Sequence, residues 1–250
     1  MEFLYGRRPV YEALVANRRH IRRVIVAEGA DESGTLAGIV EDAQAQGVRV
    51  ERMNRRWLDQ RVDGANHQGV LIEVGDYPYG SLADLLERAA ERREPPLLLL
   101  LDLIQDVQNV GTLLRAAEAV GAHGVVIQER RAASVTPAVV SASSGAVEHL
   151  IVAREKNLAR TMEELKANDV WLYGLDLGED AVRYDLADLS GSVGLVVGSE
   201  GEGLRRLVRE TCDAIIYLPM RGNVESLNAS VAGSIALFAA WQARGFAGEL

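Results

Sequence analysis

Six apolar runs in the second part of the chain are continuous rather than alternating: Leu97 to Leu103, Gly124 to Ile127, Leu150 to Val152, Val170 to Leu175, Val193 to Val197 and Ile215 to Leu218. Strands apolar on both faces cannot meet water on either side, so they call for a parallel sheet covered by helices. Amphipathic segments at Val110 to Val120, Leu158 to Ala167 and Leu204 to Glu210 fall between the runs and supply that cover. The fold class is therefore α/β. A last helix, from Leu227 to about Arg244, is apolar around most of its circumference, with Leu227, Val231, Ile235, Phe238 and Trp241 joined by Ala229, Ala232, Ala236 and Ala239. Such a helix must be buried on more than one side, inside the fold or between two copies of the chain.

Residues 1 to 75 read as a smaller α/β unit: a helix near Pro9 to Asn17, a strand Arg23 to Ala27, a helix Leu36 to Gln46, and strands Val48 to Arg52 and Gly69 to Val74. Asp76-Tyr77-Pro78-Tyr79-Gly80 breaks the pattern, a short helix Leu82 to Arg93 follows, and Glu94-Pro95-Pro96 stops it. Three segments result: a domain 1 to 75, a linker 76 to 96, and a larger domain 97 to 250. The net charge of −9 belongs entirely to residues 76 to 250, because the first 75 residues balance eleven Arg against eleven acids. Local basic clusters stand out there, at Arg7, Arg8, Arg18, Arg19, Arg22 and Arg23, and again at Arg49, Arg52, Arg55, Arg56 and Arg61 around Trp57. Arginine suits phosphate forks and base stacking, although an Arg-rich solvated face gives the same composition. No window of apolar residues reaches membrane-spanning length and the first residues lack signal-peptide order, so a soluble cytoplasmic protein is expected. The single Cys212 reads as a packed core thiol. The histidines are scattered, and no metal site is expected.

Two Gly-containing turns follow strands: Gly198-Ser199-Glu200-Gly201-Glu202-Gly203, and Leu218-Pro219-Met220-Arg221-Gly222-Asn223-Val224-Glu225-Ser226-Leu227-Asn228. Turns of this kind bring backbone groups close to a flat ligand, and the two could wall one pocket. The order G-x-x-G-x-G is a poor dinucleotide fingerprint, which argues against a nicotinamide-dependent dehydrogenase. Taken singly, each polar residue has a plain reading. Asn109 caps a helix, Arg115 points off its buried stripe to solvent, Glu200 is a loop acid, Ser226 caps the last helix, and Asn228 is a first-turn polar residue.

Taken together, Asn109-x-Gly111-x-x-x-Arg115, Gly198 to Gly203, and Ser226-Leu227-Asn228-Ala229-Ser230 resemble, in order and spacing, the three motifs of the SpoU or TrmH family. These are knotted RNA ribose 2′-O-methyltransferases that use S-adenosylmethionine (AdoMet). Tyr5-Gly6-Arg7-Arg8-Pro9-Val10 and His67-Gln68-Gly69-Val70 also resemble the ribosomal-protein-like substrate domain of the subgroup that modifies guanosine in large-subunit (23S) rRNA. The resemblance implies a trefoil knot in the C-terminal domain, a homodimer, RNA rather than DNA as partner, and no membrane. It implies AdoMet against Gly198, Leu218 and Leu227. Arg115 would be the catalytic residue, assisted by Asn109, Glu200, Ser226 and Asn228. Arg7, Arg8 and His67 would dock substrate. Where many relatives carry Asp-Pro-x-Asn, this chain has Asp106-Val107-Gln108-Asn109, which keeps Asn and Arg but gives up a rigid turn. Arg221 and Glu225 fall in a loop that varies among relatives. A tRNA or a different rRNA site is the nearest alternative substrate, and an RNA-binding assembly factor without catalysis is the alternative from another class.

Overall fold

A computed structural model describes residues 1–223 and 226–248, arranged as two compact units. The first comprises Met1–Pro78 together with Val135–His149, the second Tyr79–Ser134 and Leu150–Leu250.

In the first unit a four-stranded sheet has the order β1 (Glu2–Tyr5), β4 (Val70–Val74), β2 (Ile21–Ala27), β3 (Arg49–Met53), with only the β2–β3 pair parallel. Helices α1 (Arg7–Ala16) and α2 (Thr35–Ala45) contribute Val10, Leu14, Leu36 and Ile39 to one core, and α3 (Arg55–Arg61) sets Leu58 against Ile25 and Leu71. Sequence periodicity misses β1 and α3, because four and seven residues are too few for a periodic signal. The excursion Val135–His149 was unforeseen. It holds helix α6 (Pro137–Ala142) and is pinned by a buried ion pair in which Arg19 Nε and Nη2 donate to Glu148 Oε2 and Oε1 at 2.9 and 2.7 Å. Gly145, at φ +86°, allows the approach, since a Cβ there would sit 2.7 Å from Glu12 Cβ.

The second unit is the parallel sheet expected from the continuous runs. Its strands are β5 (Leu97–Asp102), β6 (Gly124–Gln128), β7 (Val152–Glu155), β8 (Trp171–Leu175), β9 (Val182–Arg183), β10 (Val193–Gly198) and β11 (Ala214–Tyr217). The spatial order is β7-β6-β5-β10-β8-β11-β9, with every pair parallel. All six residues of β5 are buried. Helices α4 (Leu82–Arg92), α5 (Val107–Ala119), α7 (Leu158–Lys166), α8 (Arg206–Thr211) and α9 (Ala229–Ala243) accompany the sheet. Leu85 of α4 is buried in the same core as Leu98, Val126 and Leu172, so the helix within the stretch read as a linker packs with this unit. Gly233 lets α9 lie close, because a Cβ would stand 2.5 Å from Leu113 Cδ2 on α5 and 3.1 Å from Val197 on β10. The other face of α9 leaves Val231, Ile235 and Phe238 about 40% exposed. No described helix is long and apolar enough to cross a membrane. Cys212 is packed as expected, and burial pushes its thiol up to about 12.

His123 ties the start of β5 to the chain before it. Leu97 N donates to its Nδ1 at 2.9 Å, and Nε2 lies 3.1 Å from Glu94 Oε2. Burial, aided by Arg92, pulls its pKa down from 6.5 to about 4. A depressed folded-state value means the neutral ring is the stable form: its contribution is complete above about 6.5 and is lost as pH falls toward 4. Urea unfolding at pH 7 and pH 5 is therefore expected to show a fall in stability that His123→Gln flattens. Equal pH slopes for the two proteins would contradict this role.

Candidate active site

The C-terminal ends of β8, β10 and β11 open into one cavity of about 270 Å³. Ligands of open parallel sheets bind at this edge, beyond the strand ends. The turn after β10 forms one wall through Gly198, Ser199, Glu200, Gly201 and Gly203. The segment after β11 forms the facing wall with Leu218, Met220, Ser226 and Leu227, and small residues of α9, Ala229, Ala232 and Ala236, line the floor. The two Gly-containing turns thus face one cavity, as their spacing suggested, and Gly198, Leu218 and Leu227 all line it.

The turn after β10 is held from behind. Ser199 and Gly203 form a bridge, and Gly203 N donates to Ser199 O at 3.0 Å. A Cβ at Gly198 would lie 2.2 Å from the carbonyl carbon and oxygen of Gly203, so only glycine fits. Gly201 and Gly203 take φ of +83° and +65°, values that side chains resist. The exit of the turn is anchored by Arg205. Its backbone N donates to Asp102 Oδ2 at 2.9 Å and its Nε to Oδ1 at 2.8 Å, while Nη2 donates to Gln128 Oε1 at 3.2 Å. Asp102 is 1% exposed and pairs in register with Gly198, so the last residue of β5 braces the turn from the neighbouring strand.

At the lip of the cavity three polar residues from distant parts of the chain meet. Asn228 Nδ2 donates to Asn109 Oδ1 at 2.9 Å and to Glu200 Oε1, while its Oδ1 accepts from Ser230 N at 2.8 Å and Val231 N at 3.2 Å. Asn228 is thus the N-cap of α9, a place the sequence reading gave to Ser226. Ser226 instead lines the cavity. Asn109 is likewise not a cap. Helix α5 begins a turn earlier on Asp106, whose Oδ1 accepts from Asn109 N at 2.8 Å. With Asp as the cap the Asn109 side chain is released to meet Asn228, and it is 6% exposed. Arg115 stands on the exposed face of α5, as its offset from the buried stripe required. Glu225 lies outside the described residues.

Replacing Asn228 by Ala removes a cap and leaves Asn109 without its donor, a loss of about 1 to 2 kcal/mol. Asn228→Asp keeps the cap but sets a carboxylate against Glu200. Urea melts are expected to rank wild type first, Asn228→Asp second and Asn228→Ala lowest; an Asn228→Ala protein as stable as wild type would contradict the network.

Sequence reasoning missed the third wall. Asp176 and Leu177 follow β8 and Tyr184 comes after β9, and all three line the cavity. The position of Asp176, one residue beyond a buried strand, was the available signal. In the first unit, Arg7 and His67 share one corner. Arg7 N donates to Gln68 Oε1 at 2.9 Å, its Nε to Gln68 O at 3.3 Å and its Nη2 to Asp31 O at 3.2 Å. His67 is 2% exposed; its Nδ1 accepts from Gly69 N at 3.0 Å and its Nε2 lies 3.0 Å from Asp59 Oδ1. From that place it shapes the turn into β4. Arg8 is exposed, with Nη1 3.7 Å from Glu12. Among the described residues no group of His, Cys, Asp and Glu could hold a metal ion.

A parallel sheet with a cavity walled by two glycine-bearing turns, and an Asn–Asn–Glu contact at its lip, defines a small-molecule-binding α/β domain joined to a second module. Residues 96–238 match the SpoU rRNA Methylase family and residues 3–80 match the family described as RNA 2′-O ribose methyltransferase substrate binding. The chain belongs to the SpoU/TrmH family of tRNA/rRNA methyltransferases. It is 42% identical over 250 residues to YacO of Bacillus subtilis (strain 168), described as of the TrmH family, covering 99% of this chain and 98% of that one. A Staphylococcus aureus relative of the same description is 36% identical over 247 residues, covering 99% and 98%. Among solved structures, the fold is like that of the SpoU methyltransferase AviRb from Streptomyces viridochromogenes in complex with AdoMet. That match has a TM-score of 0.79 and 24% identity and covers 98% of this chain and 90% of that one. An AdoMet-bound rRNA methyltransferase from Sinorhizobium meliloti gives a TM-score of 0.77 at 24% identity, covering 96% and 87%.

Proposed function

We propose that this chain transfers a methyl group from AdoMet to the ribose 2′-OH of a guanosine in large-subunit rRNA. The observation that carries the reading is the meeting of Asn109, Glu200 and Asn228, one from each motif, at the lip of the Gly198–Leu218–Leu227 cavity. The cavity suits AdoMet on its own terms. Apolar walls and an alanine floor take an adenine ring, and the open backbone of a braced, glycine-bearing turn offers hydrogen-bonding groups at close range.

When bound, AdoMet supplies a methyl group on a sulfonium whose departure leaves a neutral thioether. What remains for the protein is to align and activate a weakly nucleophilic hydroxyl. Arginine stays protonated at neutral pH, so Arg115 acts as a cation that holds the adjoining phosphate and stabilises the oxyanion forming at O2′, with the proton leaving to phosphate or water. Asn109 and Asn228 fix the start of α5 and the start of α9 against each other. Glu200, drawn to Asn228, orients the turn or a substrate group. Ser226 lines the opposite wall of the cavity, where it could donate to or accept from a bound nucleotide or cofactor.

The first unit docks RNA, and its arginines answer the acidity of residues 76 to 250. Arg7 and Arg8 are the first two residues of α1, and His67 supports them by setting the turn at Gln68. The presence of this module favours rRNA over tRNA. The protein acts as a cytoplasmic homodimer, the exposed Val231, Ile235 and Phe238 of α9 meeting their counterparts, with the C-terminal segment threaded as a trefoil knot. Primer extension sensitive to 2′-O-methylation, on large-subunit rRNA from cells with and without the gene, tests the substrate. A single guanosine stop that vanishes with the gene is expected, and an unchanged pattern would overturn the assignment to this RNA.

A further inference from the structure

Most arginines of the first unit are already engaged with acids. Arg22 and Arg23 bind Glu73 at 2.8 and 2.6 Å, Arg49 binds Glu51 at 2.8 Å and Arg52 binds Glu32 at 2.9 Å. Helix α3 departs from this pattern. Its Arg55, Arg56 and Arg61 are exposed, and none forms an ion pair among the described residues. Three cations that form no ion pair among the described residues, beside the single acid Asp59 on the same seven residues, stand out in a chain of net charge −9.

The same helix carries an aromatic base for one of them. The Arg61 guanidinium lies 4.7 Å from the Trp57 ring centroid, and Trp57 meets Phe3 edge-on at 6.0 Å and 88°. Arg23, held by Glu73 and Glu51, lies 5.8 Å from the same ring. The Trp57 ring is thereby steadied by Phe3 and Arg23 while Arg61 lies over it at the surface. A guanidinium plane backed by an indole is a flat, cationic platform, the kind of surface on which an unpaired base stacks. A duplex keeps its bases stacked inside and could offer only phosphates here.

We infer that α3 is a docking surface for single-stranded RNA, with an unpaired base on the outer face of Arg61 and neighbouring phosphates at Arg55 and Arg56. It rests on the reading of this chain as an RNA-modifying enzyme, and adds a contact apart from Arg7 and Arg8. The partner is an RNA presenting at least one splayed nucleotide, such as a loop.

The test uses the full chain and two labelled probes, a mixed-sequence single-stranded 20-nucleotide RNA and a blunt RNA duplex of equal length, with AdoMet affinity as the control. Arg61→Ala and Arg61→Lys are both expected to weaken single-strand binding about tenfold, because lysine keeps the charge but offers no plane. Duplex binding should fall for Arg61→Ala only. The double variant Arg55→Ala/Arg56→Ala should flatten the dependence of log affinity on log salt by about 1.4, or about 0.7 for each lost phosphate contact. Melting temperature and AdoMet affinity should stay at wild-type values in all three. Wild-type single-strand affinity and salt slope in these variants would overturn the docking surface and leave the enzyme reading intact. A wild-type chain that binds neither RNA probe would overturn both.

Discussion

Arg115→Ala is expected to lower methyl transfer by about a hundredfold to a thousandfold while AdoMet affinity and thermal stability stay unchanged. The size follows from the role. A charged donor directed at a developing oxyanion is worth about 3 to 4 kcal/mol in the transition state and little before it. The exposure of Arg115 on α5 means that no core packing is lost with it. Arg115→Lys separates two accounts of the side chain. A cation serving as an electrostatic clamp is partly replaced by lysine, whereas a role that needs the planar fork is not. Steady-state kinetics at saturating RNA should place the Lys variant between wild type and Ala. A Lys variant as inactive as Ala, with normal RNA binding, would contradict the clamp.

Gly198→Ala is expected to abolish AdoMet binding at concentrations that saturate the wild type. The added methyl would stand 2.2 Å from the carbonyl carbon and oxygen of Gly203 and 2.6 Å from Leu204 N, and these are backbone atoms with no rotamer to yield. Either the turn moves away and the wall it forms is lost, or the strain stays in the folded state at about 3 kcal/mol or more. Asp102 and Arg205 oppose the first escape by holding the turn's exit to β5. Gly201→Ala is the useful contrast: nothing lies within 4 Å of its would-be Cβ, so only the φ of +83° resists, at about 1 kcal/mol. Calorimetric titration with AdoMet should therefore find Gly201→Ala close to wild type and Gly198→Ala without measurable binding. Equal behaviour of the two variants would contradict the close-packed turn.

The sheet of the second unit was legible because burial on both faces writes continuous apolar runs, and each expected strand begins within two residues of its observed start. The cavity was legible from two glycine-bearing turns that follow strands. What escaped depended on tertiary contact. Asn109 looked like a cap because it precedes an apolar stripe, yet Asp106 has the same chemistry one turn earlier and takes the role. Ser226 and Asn228 are both good caps by residue type, and only the path into α9 decides between them. His67 drew attention as a polar residue in a motif, but its contact with Asp59 on α3 is a tertiary one that the motif itself does not reveal. The excursion Val135–His149 depends on the Arg19–Glu148 pair, 129 residues apart in sequence, and pairings at that range leave no trace in composition.

The proposed acceptor of the methyl group is a ribose oxygen. The direct test is transfer from AdoMet labelled in its methyl group to large-subunit rRNA lacking the modification, followed by complete alkaline hydrolysis. Alkali cleaves RNA through the free 2′-OH, so a methylated ribose leaves its linkage intact. Label recovered in an alkali-resistant dinucleotide carrying guanosine at its 5′ side is the expected result. Label in mononucleotides bearing a methylated base would contradict it.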